Sequence, residues 1–187
     1  GVNSSYALTK SDREDGSFSE FITRTPIAQI YNEDGSYSRY INSNNDVNPF
    51  YRAENYKREI STNSYRLNVF LELKPFKGFN YRLNTSFYNR EQEDGEAKGV
   101  NYPGGGATAK LTDREDRSYL IENIFTYNVP IKDQKHKLTI TAVQSVDHKQ
   151  TKQLGYATDQ LPVDMDWNFI ANGQFTGSPI RSFTENN

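Results

Sequence analysis

A period of two constrains this chain more than any other feature. Successive side chains of a β-strand point to opposite faces of a sheet, so apolar–polar alternation marks a strand with one apolar face. Five segments alternate in this way. The clearest puts Tyr65, Leu67, Val69, Leu71 and Leu73 on one face and Ser64, Arg66, Asn68, Phe70 and Glu72 on the other. Phe79, Tyr81, Leu83, Thr85 and Phe87 repeat the pattern against Asn80, Arg82, Asn84, Ser86 and Tyr88. The others run over Val2–Lys10, Tyr119–Asn128 and Lys137–Asp147. In the fourth, Tyr119, Ile121, Phe125 and Tyr127 share a face with Asn123 as an exception, while Leu120 and Ile124 fall opposite. In the fifth, Leu138, Ile140 and Ala142 oppose Thr139, Thr141, Val143 and Ser145. No segment sustains a helical period. The expected class is all-β, an antiparallel meander of about five long strands.

The connections add a direction. Lys74–Gly78 is a tight turn with Pro75 and Gly78, and a second short link holds Pro130, Asp133 and Gln134. The stretches Ser11–Asn63, Asn89–Ser118 and His148–Asn187 are long, polar and rich in turn residues, such as Asp12-Arg13-Glu14-Asp15-Gly16 and Pro103-Gly104-Gly105-Gly106. Compact domains favour connections of about 4–6 residues. Transmembrane barrels instead pair short periplasmic turns with long extracellular loops. On that rule the three long connections are extracellular, and the first, third and fifth strands run outward.

Composition excludes several classes. Only 34% of the 187 residues are hydrophobic, yet 13% are aromatic, which separates the chain from disordered sequences. A formal net charge of -2 offers no basic surface for nucleic acid. With no cysteine there is no disulfide framework, thiolate metal site or cysteine nucleophile. The N-terminal GVNSSYALTK is no signal peptide, and no apolar run approaches the roughly 20 residues of a membrane helix. Barrel strands escape such a scan because they alternate.

Particular stretches resemble the SusC/RagA family of TonB-linked outer-membrane proteins. One is Thr25-Pro26 through Tyr31-Asn32-Glu33-Asp34-Gly35-Ser36-Tyr37, followed by Asn48-Pro49. Another is Leu71-Glu72-Leu73-Lys74-Pro75-Phe76-Lys77-Gly78-Phe79 with Tyr81-Arg82-Leu83-Asn84. A third joins Tyr119-Leu120-Ile121-Glu122-Asn123, Thr126-Tyr127-Asn128 and His136-Lys137-Leu138. The resemblance implies a 22-stranded transmembrane β-barrel in the cell outer membrane, with an internal plug. It also implies a SusD-like lipoprotein lid, uptake of glycans or peptides, and energy from the TonB complex. On this reading residues 1–187 are a segment of the barrel wall without plug or signal peptide, and Arg181–Asn187 approaches the next strand.

No catalytic, cofactor or metal site is expected. His136 and His148 form no close helical pair and no HExxH. An EF-hand around Gly16 would need ligands where Ser11 and Arg13 stand. Gly104-Gly105-Gly106 with Lys110 lacks the Gly-Lys-Ser/Thr ending of a phosphate loop. Nothing ties a nucleophile to a base within one structural unit. The candidate contact residues for ligand or lid are the loop aromatics Tyr31, Tyr37, Tyr40, Phe50, Tyr51 and Trp167, whose faces suit sugar stacking; the alternative is that they pack the loops together. Tyr6, Phe76, Phe79 and Tyr127 stand near strand ends, as in an aromatic girdle. A soluble β-sandwich, such as a carbohydrate-binding or adhesin module, is the other reading. It needs a second sheet over the apolar face.

Overall fold

The computed structural model describes residues 1–13, 29–42, 44–131, 136–162 and 165–186. It is an all-β antiparallel meander. The elements are β1 (Val2–Arg13), α1 (Pro49–Glu54), β2 (Tyr56–Leu73), β3 (Phe79–Lys98), β4 (Thr108–Val129), β5 (Leu138–Asp159), a 3-10 helix (Trp167–Asn172), β6 (Gln174–Phe175) and β7 (Ile180–Asn186). The strands form one sheet in the order β1-β2-β3-β4-β5, with β6 and β7 both pairing β5, and the sheet is not closed.

Register converts the alternation into a two-faced surface, because residues directly opposite each other share a face. Val2, Val69, Thr85, Ile121 and Val146 form one row across five strands. The next row in one direction is Leu71, Leu83, Asn123 and Gln144, and in the other Ser4, Leu67, Phe87, Tyr119 and His148. The facings of Tyr65–Leu73 and Phe79–Phe87 therefore agree, and the register settles the two that alternation left open, placing Tyr119, Ile121, Phe125 and Tyr127 with Leu138, Ile140 and Ala142 on the same face. On β4 the apolar band runs from Tyr119 to Val129. Ten steps of about 3.3 Å make about 33 Å along the strand. Measured along an axis inclined 35–45° to the strand, that length is about 25 Å.

No described residues bury the band. Leu67, Val69, Leu71, Leu73, Ile121, Leu138, Ile140 and Val146 are all exposed. The chain exposes 13183 Å², against about 9,200 Å² for a compact protein of its mass. Among the described residues the buried apolar side chains lie elsewhere, as Ile41 in the first loop and as a cluster of Ala97, Ala107, Ala109, Leu161 and Trp167.

Two expectations are corrected. The stretch Asn89–Ser118 is mostly strand: β3 continues to Lys98 and β4 begins at Thr108, leaving only 99–107 as loop. Residues 56–63 and 148–159 likewise extend β2 and β5. Ladder hydrogen bonds are indifferent to side-chain polarity, so the strands run on where both faces are polar and alternation has vanished. Cross-strand ion pairs assist there: Arg58 Nε and Nη2 donate to Asp94 Oδ1 and Oδ2 at 2.9 and 2.6 Å. The strict alternation of short and long connections does not hold either, because 99–107 is comparable to the link 130–137. The asymmetry survives in another form. Strands stop at the band edge beside Lys74–Gly78 and overrun it at the opposite end. The Asp133–Gln134 turn, the Glu14–Gly16 cluster and Thr25-Pro26 lie outside the described residues.

Candidate functional site

The overrun end carries the candidate contact residues. Asn48, fully buried, organises them. Its Oδ1 accepts from Phe50 N at 3.1 Å and caps α1, with Pro49 supplying the fixed φ of a first helical position. Its Nδ2 donates to Ile30 O at 2.9 Å, and its backbone N–H donates to Arg39 O at 3.0 Å. Residues 31–37 turn tightly through Gly35, at φ 83, with Asn32 N donating to Ser36 O at 2.8 Å. Asp34 accepts from the Ser36 hydroxyl and backbone N–H, which hold its carboxyl below the usual range.

These bonds bring three predicted residues together. Tyr31 stacks on Tyr37 at 5.2 Å and Tyr37 on Phe50 at 5.3 Å, making a column of three rings. Tyr31 is 56% exposed and Phe50 38%, so both ends of the column meet solvent. Tyr40 lies apart from the column, bridged to Val47 and covered by the Arg39 guanidinium. Tyr51 is half-buried on α1, its carbonyl accepting from Asn55 Nδ2 at 2.8 Å.

Trp167 is elsewhere and buried. Its indole lies on Gly95 of β3 among Ala97, Ala109 and Leu161, and Lys57 sits over the ring at 5.7 Å. Lys57 Nζ also meets Asp166 Oδ2 at 3.2 Å. Burial opposes ionisation of Asp166, but hydrogen bonds from Asn168 N and Lys57 outweigh it and lower its pKa. The 3-10 segment thus straps the apolar-face side of the overrun ribbons. Trp167 packs the loop and is not on an accessible surface.

The band has aromatic margins. Phe76 stacks on Phe79 at 5.0 Å and contacts Tyr127 edge-on, and Tyr81 stacks on Phe125. At the other margin Tyr65 packs against Phe87 and Tyr119 stacks on His148 at 4.9 Å. Between them lie the rows Val69–Thr85–Ile121–Val146 and Leu71–Leu83–Asn123–Gln144, mostly aliphatic on β2 and interrupted by Thr85, Asn123 and Gln144. Among the described residues no group of His, Asp and Glu is arranged to hold a metal, and no helix is long and apolar enough to cross a membrane.

Sequence reasoning missed the pairing of Tyr56 with Tyr102 at the ribbon tip and a polar-face network around Asp116. Their segments carry no apolar alternation, so only the register reveals them. Comparison with protein-family models and with curated proteins finds no match.

Proposed function

We propose that this chain is a segment of the wall of a TonB-dependent outer-membrane transporter of the SusC/RagA type, part of a 22-stranded barrel. The whole protein takes up glycans or peptides with a SusD-like lipoprotein lid and is energised by the TonB complex. One observation carries the reading. A single-layer sheet presents an exposed aliphatic band, about the height of a bilayer's apolar zone, edged by aromatic side chains at both margins. The sandwich alternative requires a second sheet over that band, and the described strands all lie in one sheet. An open sheet encloses no pore, so transport belongs to the closed barrel, because lipid leaves an open edge unsatisfied. The column Tyr31–Tyr37–Phe50 is this segment's contact with lid or cargo. We assign the chain no catalytic role.

The test places a spin label at Val69 or Asn68 of the whole protein in liposomes. Oxygen, which partitions into lipid, should relax the label at 69, and a water-soluble nickel complex the label at 68. Equal access of the nickel complex to both sites would remove the membrane reading. Deleting residues 28–48 should leave insertion intact and reduce lid association or uptake.

A further inference from the structure

The two faces of the overrun ribbons carry opposite charge. On the apolar-face side, directly opposed pairs Glu91–Glu115 and Glu93–Asp113 gather four acids, of which Glu115 is ion-paired with Arg117 and Lys152. On the polar-face side, at the same height, three arginines outnumber the one acid, Asp116. Arg66 lies on β2, Arg90 on β3 and Arg114 on β4. Arg66 opposes Tyr88, two residues before Arg90; Arg90 opposes Asp116, two residues after Arg114. The three therefore climb the sheet diagonally, one strand and two residues per step, about 7–8 Å apart. Lys149 extends the lowest step, in the row Arg66–Tyr88–Ser118–Lys149.

Each arginine is held by its own neighbour. The Arg66 guanidinium lies over the Tyr88 ring at 5.1 Å. Arg90 Nη2 donates to Gln92 Oε1 at 2.9 Å. Arg114 Nε and Nη2 donate to Asp116 at 3.0 and 3.1 Å. Asp116 is the only acid in these three rows. It is 8% exposed and also accepts from Thr151 Oγ1 at 2.7 Å, so its charge is spent within the sheet. Arg66, Arg114 and Lys149 remain exposed. The positions between them are Thr62, Ser64, Gln92, Ser118 and Thr151, a field of hydroxyls and amides.

We infer that this arginine staircase is a binding surface for an acidic oligosaccharide. Oriented guanidinium groups match carboxylate or sulfate groups recurring along a chain, and the surrounding hydroxyls and amides match sugar hydroxyls. A net positive wall also raises the local concentration of anions. The inference rests on the transporter reading, which turns this face to the lumen and makes the staircase part of the entrance.

The experiment uses the whole protein purified from outer membranes. Oligogalacturonides, chondroitin sulfate oligosaccharides and neutral maltooligosaccharides of equal length are titrated at low and high salt. Acidic chains should bind at least about tenfold tighter than neutral ones at low salt, and the gap should close at high salt. Preference between the two acids separates carboxylate from sulfate recognition. Arg66→Gln with Lys149→Gln, both exposed, should weaken acidic binding about tenfold, leaving neutral binding and the Lys152→Gln control on the other face unchanged. Equal affinity for neutral and acidic chains, or double-variant binding equal to wild type, overturns the inference. Heat-modifiable migration is followed in the same samples. Its absence from the wild-type protein removes the membrane reading and this inference with it; its presence beside charge-blind binding removes this inference alone.

Discussion

The indole of Trp167 rests on Gly95, where a β-carbon would fall inside contact distance of the ring. Gly95 lies between Glu59 of β2 and Leu111 of β4, in the row beside the Ala97–Ala109 pair, so the strap is seated on a floor of small side chains. Gly95→Ala should unseat it. Trp167 is the sole tryptophan, so its emission should shift to the red and become open to aqueous quenchers, at a cost of about 1–3 kcal/mol typical of overpacking. Unchanged emission would mean that the ring has another seat.

Leu71 and Phe70 are neighbours on opposite faces. In the whole protein Leu71→Arg should destabilise the folded barrel in membranes by roughly 2–4 kcal/mol, the cost of a charge near mid-bilayer. Phe70→Arg should be tolerated, because that face is polar there, with Asn84 opposite Phe70 and Glu122 in the same row. Urea unfolding in liposomes measures both. Equal losses would refute the assigned facing.

Asn48 joins α1 to the Tyr31–Tyr37 turn. Asn48→Ala removes the cap, worth about 0.5–2 kcal/mol, and strips Ile30 O of its side-chain donor. Amide exchange should accelerate at Phe50 and Arg52, with β2–β5 unaffected. Protection unchanged at Phe50 would show that the column holds the loop without the cap.

Asp116 predicts an acid dependence. Burial opposes its ionised form, yet bonds from Arg114 and Thr151 and the field of Arg90 outweigh this and lower its pKa. A depressed carboxyl stabilises the fold at pH values above its unfolded pKa of about 4, and that contribution is lost as pH falls through the lower folded value. Asp116→Asn should therefore be less stable than wild type at neutral pH, by about 1–3 kcal/mol, with the gap narrowing below pH of about 4. A gap independent of pH would assign the effect to packing.

The alternating half of the fold was legible because a sheet with one apolar face writes a period of two. The facing of Tyr119–Asn128, ambiguous from Leu120 and Ile124 alone, follows once Ile121 is paired with Thr85 and Val146. The overrun was not legible. From Asn89 to Asp94 both faces are polar, and no residue type distinguishes such a ribbon from a loop. Among the candidate contacts, Tyr31, Tyr37 and Phe50 meet because Asn48 reaches back to Ile30, a bond no local pattern announces. Trp167 was grouped with them because an aromatic in a polar loop looks the same whether it caps a floor or waits for a ligand.

The β3–β4 ladder runs unbroken from Phe79–Tyr127 to Lys98–Thr108. A force applied at the tip, residues 99–107, cannot be absorbed there by a few free dihedrals. The ribbon is a cantilever clamped at the edge of the apolar band, and a load on its end arrives as a bending moment near Phe87 and Tyr119. A push at the tip would thus be felt at the band edge as a tilt, with no loop rearrangement in between.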